Sequence, residues 1–214
     1  YDANGNFKWV NSAGGVGEDQ AQSITIDASG KIYVSGFFTQ NANFNGQNVV
    51  SSNPFAETFI AKYDDAGNLI WVKKSASQHL TSGNGIAFSK QNKILLTGYY
   101  SGAISFGTDT VFSSSPDYEI FLAQFDLDGT IQWLKSAGGA YEDVANAVAC
   151  DPSGNAFITG YYAGSSKFDS YTLSNKNYND VFIAKYDGNG VCQWVKGAGG
   201  ISLDFGNAIT TDNN

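Results

Sequence analysis

The chain has 214 residues, 42% hydrophobic and only 15% charged, which is enough to bury a core and too apolar for a disordered segment. Its net charge is −8 and all 12 basic residues are lysine, so the positive field and guanidinium forks that grip phosphate backbones are missing and nucleic acid is disfavoured as a partner. No apolar run approaches the ~18 residues of a membrane-spanning helix, and 25 glycines among abundant Asn, Ser and Thr point to an all-β protein.

The chain opens on YDANGNFKWV (Tyr1 to Val10), and the pattern returns, lengthened, as FIAKYDDAGNLIWV (Phe59 to Val72), FLAQFDLDGTIQWL (Phe121 to Leu134) and FIAKYDGNGVCQWV (Phe182 to Val195). Trp9, Trp71, Trp133 and Trp194 are 62, 62 and 61 residues apart, the period of a repeat array. With no methionine and a start inside a repeat, the sequence reads as a piece of a longer polypeptide.

Each unit reads as four short strands. The first is Gln20 to Asp27, with counterparts Ser82 to Ser89, Val144 to Asp151 and Phe205 to Asp212; its first half is Ala, Gly, Ser and Asn, suited to a place where several units crowd together. A turn follows, Asp27-Ala-Ser-Gly30 or Asp151-Pro-Ser-Gly154, in which Asp bonds its own backbone and Gly takes positive φ. The second strand (Lys31 to Phe37, Lys93 to Tyr99, Asn155 to Tyr161) is apolar on both alternating faces and should be covered on both. Gly36, Gly98 and Gly160 recur on one face, where an adjacent sheet is expected to come close.

A long polar stretch comes next, read as a loop plugged onto the body by Phe44, Phe106 and Phe168. The third and fourth strands form the repeated motif, joined by Asp-to-Gly hairpin turns at Asp64, Asp126 and Asp187. The fourth carries the tryptophan beside a half-polar set, Ile70, Gln132 and Gln193, which suits an outer strand. A Gly-rich link closes the unit, followed by Asp19, Asp143 or Asp204. The second unit departs, with Ser77-Gln-His-Leu80 and then Thr81 in those places, and Lys90-Gln-Asn-Lys93 for its first turn. Cys150 and Cys192 fall on the innermost and outermost strands, about 14 Å apart at ~4.8 Å per strand step, and read as two free thiols.

Four antiparallel strands per 62 residues, small residues on the first and a half-polar last strand describe a β-propeller blade, its first strand near the axis and its fourth at the rim. The expected fold is an all-β β-propeller segment over 1–214. It holds the last, outer strand of a preceding blade (1–14), three whole blades (18–75, 80–137 and 142–198) and the first, inner strand of a following blade (203–214). Such a set cannot close a ring, so further blades of the same polypeptide are expected beyond both ends.

The Asp-x-x-Gly-Asn turn, the Tyr-x-x-Gly strand, Phe-x-Ala-Lys-Tyr-Asp, Gly-Asn-x-x-Trp and the closing Gly-Gly-x-x-x-Asp resemble the bacterial β-propeller repeat family, the seven-bladed type of repeat, over nearly the whole chain. The resemblance implies a place in a large secreted or cell-surface bacterial protein; no membrane insertion is expected, because no apolar run is long enough.

Individual residues say less about chemistry. His79, the only histidine, sits in a linking loop of the aberrant unit and reads as solvated. Asp126 with Asp128 suggests part of a calcium loop, but the full ligand spacing is missing and hairpin geometry accounts for both; no cofactor is expected beyond that weak calcium candidate. Glu18 with Asp19 and Glu142 with Asp143 recur in equivalent places, which argues for bonding backbone amides between blades. Phe38, Tyr100 and Tyr162 end the second strand and are the candidate ligand-binding residues, stacking on sugars or peptide side chains at one rim if exposed. The expected function is a non-catalytic scaffold or adhesive binding module with a protein or glycan ligand. The alternatives are a carbohydrate-active propeller enzyme with axial carboxylates, or a sugar-binding propeller lectin.

Overall fold

A computed structural model describes residues 1–176 and 178–212, and among them finds twenty strands and no helix. The first unit comprises β1 (Ala13–Gly15), β2 (Asp19–Ile26), β3 (Ile32–Phe38), β4 (Asn41–Phe44), β5 (Gln47–Val50), β6 (Glu57–Tyr63) and β7 (Leu69–Lys74). The second comprises β8 (Ala76–Ser77), β9 (Thr81–Ser89), β10 (Lys93–Tyr100), β11 (Ala103–Phe106), β12 (Asp109–Phe112), β13 (Glu119–Phe125) and β14 (Ile131–Gly139). The third comprises β15 (Val144–Cys150), β16 (Ala156–Tyr162), β17 (Ser165–Phe168), β18 (Tyr171–Ser174), β19 (Asp180–Tyr186) and β20 (Cys192–Ala198).

The four long strands of each unit pair antiparallel in chain order, as β2-β3-β6-β7, β9-β10-β13-β14 and β15-β16-β19-β20. Their turns follow from the residues named above. Asp27 accepts at Oδ1 from the amides of Ser29 (2.8 Å) and Lys31 (2.9 Å), and Asp151 does the same for Ser153 and Asn155 at 2.9 Å. In the second unit Asn92 takes the left-handed place at φ 57°, which its short polar side chain tolerates.

The sheets stack face to face, and the core lies between them. Tyr33 and Ile60 of the first meet Ile94, Leu96, Tyr100 and Phe121 of the second. On the second sheet's other face, Leu95, Ile120 and Leu122 meet Ile158, Tyr162 and Phe182 of the third. The small-residue strands gather at one edge of this stack, with β9 lying against both β2 and β15. At the opposite edge Trp71 donates its indole N–H to Leu127 O of the next sheet (3.3 Å) and Trp133 to Gly188 O (3.1 Å). Inner strands together and tryptophan strands outermost is the arrangement of propeller blades.

Two expectations change. The polar stretch in each unit is not a loop but a hairpin, β4-β5, β11-β12 and β17-β18, which pairs with the Gly-rich link before its own unit: β1 with β4, β8 with β11, and the end of β14 with β17. Phe44, Phe106 and Phe168 plug these hairpins onto the body, at 2%, 3% and 0% exposure. The space beside Gly36, Gly98 and Gly160 is taken first by their own inner strand, although the following unit also approaches Gly36 and Gly160 closely. A Cβ there would lie 1.9, 1.8 and 1.9 Å from the carbonyls of Gln20, Ser82 and Val144, because each inner strand carries a bulge at that point. Among the described residues the terminal segments 1–14 and 203–212 make no blade-strand ladder within this chain. Within 1–14 only Ala13 and Gly14 pair, with the hairpin, although Trp9 donates to Asp65 O (3.0 Å) as the later tryptophans do. The stretch 203–212 lies along the third sheet, with Gly206 N bonded to Gly160 O (3.1 Å) and Thr211 Oγ1 to Cys150 O (2.8 Å); residues 213–214 lie outside the described residues.

Candidate functional site

Phe38, Tyr100 and Tyr162 are buried, at 0%, 0% and 4% exposure, so they serve as core residues rather than as an open ligand-stacking rim. The pleat turns them into the cores on the preceding-blade side of each sheet, where Phe38 joins Phe44 and Phe59, and Tyr100 Oη meets Ser136 Oγ at 2.6 Å. Their neighbours Phe37, Tyr99 and Tyr161 point the other way and are half-exposed.

Tyr99 and Tyr161 come together with the inner-strand bulges. The pairing skips Gln22, Asn84 and Asn146, one bulge residue per blade, and turns them toward the space between the inner strands. Asn84 Nδ2 donates to Ala145 O (3.0 Å) and Asn146 Nδ2 to Gly206 O (3.1 Å), so these two bulge amides tie their strands to the next segment, whereas Gln22 Nε2 donates to Gln20 Oε1 of its own strand (2.7 Å). With Asn207, Tyr99, Tyr161 and Val144 these amides line a cleft of about 430 Å³. Next to it lies a second hollow of about 550 Å³, whose walls include Phe55, His79, Asp117, Tyr118 and Glu142.

Contacts between their aromatic and acidic walls set the two hollows, together the mouth, side by side. The Tyr99 and Tyr118 rings lie 4.8 Å apart and tilted by 52°, and Tyr161 packs edge-on to Phe205 at 5.0 Å. Tyr161 Oη donates to Glu142 Oε1 at 2.7 Å. Burial, this hydrogen bond and the Glu142 charge push the Tyr161 phenol well above its ordinary value; burial and then Tyr118 and Glu142 raise Tyr99. Both stay neutral hydrogen-bonding phenols at physiological pH.

The other candidates have structural partners. Asp19, Asp143 and Asp204 accept from the amides of Gly15, Gly139 and Gly200 at 2.6, 2.8 and 2.9 Å, the amide-bonding task read from their recurrence. Asp143 is fully buried, and desolvation pushes its carboxyl up to about 7 even though Ser166, Ala163 and Gly139 donate to it; the nearby Glu119 charge adds to the rise. Glu119 is itself buried and accepts from the Ser114 amide (2.6 Å) and hydroxyl (2.5 Å). These two carboxylates face donors within the fold and line neither hollow. Asp126 Oδ1 is taken by the amides of Asp128 and Thr130, as hairpin geometry requires. His79 is an exposed loop residue with its ring 5.4 Å from that of Phe55. Cys150 and Cys192 are free thiols.

An apolar cavity of about 240 Å³ lies elsewhere, against Trp9, Ile24, Ile32, Val34 and Phe38. It sits on the face of the first sheet that, in the second and third, is covered by the preceding sheet. It lies apart from the mouth.

No model of a known protein family matches the chain. It is similar to an uncharacterized WD repeat-containing protein of Acanthamoeba polyphaga mimivirus, with 25% identity over 90% of this chain and 16% of that protein. It is also similar to a regulatory protein, FlaEY, of Caulobacter vibrioides, with 26% identity over 79% of this chain and 18% of that protein. The chain thus spans less than a fifth of either relative. A superposition on the Pan2 WD40 domain of Neurospora crassa covers 83% of this chain and 65% of that one at 10% identity, but with a TM-score of 0.27 it carries no argument. The propeller architecture rests on the sheet registers described above.

Proposed function

We propose that the chain is a non-catalytic propeller segment, a scaffold or binding module that takes its ligand at the mouth between the inner strands. The observation that carries this reading is the division of polar groups. The buried carboxylates Glu57, Glu119 and Asp143 are engaged by donors of the fold, whereas Tyr99, Tyr118 and Glu142 remain accessible around one opening. We also read the chain as part of a longer bacterial protein, secreted or displayed at the cell surface, with more blades on both sides.

Two observations support the further blades. Lys62 lies 5.2 Å over the Tyr33 ring and donates to Leu127 O of the next blade at 2.8 Å; Lys185 lies 5.2 Å over Phe157 in the same way. Among the described residues neither Lys185 nor the Trp194 indole meets such a carbonyl, and the short spans shared with both relatives agree. A glycan and peptide array probed with the chain and with Tyr99→Ala/Tyr161→Ala tests the reading. Signals lost in the variant support it, and signals that survive place binding elsewhere. Turnover of a glycoside panel, abolished by Glu142→Gln, would replace it with the enzyme.

A further inference from the structure

We propose that the mouth selects a cation, a lysine or arginine side chain presented by a basic peptide, held on the Tyr99–Tyr118 pair with its charge beside Glu142. This rests on the mouth being the binding site and names its ligand class. Aromatic faces attract cations through their quadrupole, and the attraction grows when a carboxylate stands nearby and water is partly excluded.

The mouth supplies both parts from different blades. Tyr99 and Tyr118 come from the second unit, while Glu142 lies in the link before β15 and accepts from Tyr161 of the third. Asp117 shares the hollow with Tyr118 and Glu142, and neither hollow is lined by a lysine. Glu18 and Glu142 both act electrostatically on Tyr99, so the first blade adds a further negative charge. The whole chain, at −8, favours the approach of a cation and opposes that of an anion.

Ring geometry separates this ligand from a sugar. The rings stand at 52° and 89° to their partners, so no coplanar platform of two rings is offered to an extended sugar chain. Tilted rings beside a carboxylate suit a compact charged group on a thin stem. The amides of Asn84 and Asn146 donate to backbone carbonyls of the next inner strand, which leaves fewer donors for sugar hydroxyls.

Calorimetry of the full chain with a capped tetralysine peptide tests the assignment, against tetraglutamate and cellotetraose. Tetralysine is expected to bind at low salt and to weaken as salt rises. Tyr99→Leu or Glu142→Gln should each weaken it roughly tenfold, while Tyr99→Phe, which keeps the ring, stays within about twofold. Glu142 is exposed, so its variant tests the site even if the Tyr99 variants fold poorly. Absence of tetralysine binding, or binding indifferent to Glu142→Gln, overturns the assignment. Cellotetraose binding that is lost with Tyr99→Leu, while tetralysine fails, overturns the cation and leaves the mouth as the binding site.

Discussion

Asp19 and Asp143 hold the same place in successive units but have different partners. Asp143 Oδ1 accepts from the Ser166 hydroxyl at 2.5 Å; at the equivalent place in the first unit stands Ala42, and Asp19 Oδ1 is buried without a partner among the described residues. Ala42→Ser should supply the missing donor and stabilise the chain by about 1 kcal/mol, read as a raised denaturation midpoint. Asp143 also sets a pH dependence. Its carboxyl is raised to about 7 from 3.8, so between those values the folded chain binds more protons than the unfolded one, and stability falls as pH rises from about 4 to about 7. At Asp27 and Asp151 burial acts to raise the carboxyl, but the hydrogen bonds together outweigh it and lower the value, so these two act oppositely and lose their contribution only as pH drops below the usual carboxylate range. A melting temperature that declines from about pH 4.5 to 7 in the parent, and much less in Asp143→Asn, is the expected result. The sequence displayed the recurrence of these aspartates but not their burial, which depends on a hairpin residue 23 positions away.

Among the elements, the strands with an alternating apolar pattern and an Asp-to-Gly turn were legible, and β3, β6 and β7 fall where the pattern puts them. The hairpins were not. Each arm has four residues, one side is polar, and their partner is a glycine-rich link whose lack of side chains conceals that it pairs at all. The open end of β10 and β16 is hidden from the sequence for a related reason: alternation alone does not say which face of a doubly covered strand ends in the open, and it is Tyr99 and Tyr161 rather than Tyr100 and Tyr162 that reach it. The bulge asparagines stood at a fixed interval in the sequence, but a bulge is defined by its partner strand. Phe106 anchors the middle hairpin between Phe121 and Phe125, with ring centroids at 5.9 and 5.2 Å, and Phe106→Ala should cost about 3 to 5 kcal/mol in chemical denaturation. A smaller loss, near 1 kcal/mol, would mean that the hairpin hangs loosely on the body.

Across the whole molecule the same positions differ sharply in cover. Ile60 and Leu122 are 0% and 2% exposed between blades, while their counterpart Ile183, on the outer face of the third blade, is 40% exposed. Ile24 on the first blade's outer face is 68% exposed, against 5% and 8% for its counterparts Ile86 and Val148. Leu122→Ala should therefore cost about 2 to 5 kcal/mol and Ile183→Ala roughly 1 kcal/mol or less. If more of the repeat array covers the third blade, a longer chain carrying one additional unit should bring the Ile183→Ala penalty up to that of Leu122→Ala. Equal penalties in the present chain would show that its outer face is already shielded.

The end of β14 continues into the pairing with β17, so the outer border of the second blade is hydrogen-bonded to residues of the third unit. The junction between these two blades is thus held by main-chain hydrogen bonds as well as by side-chain packing, so loosening it means breaking a ladder and not merely parting two apolar faces.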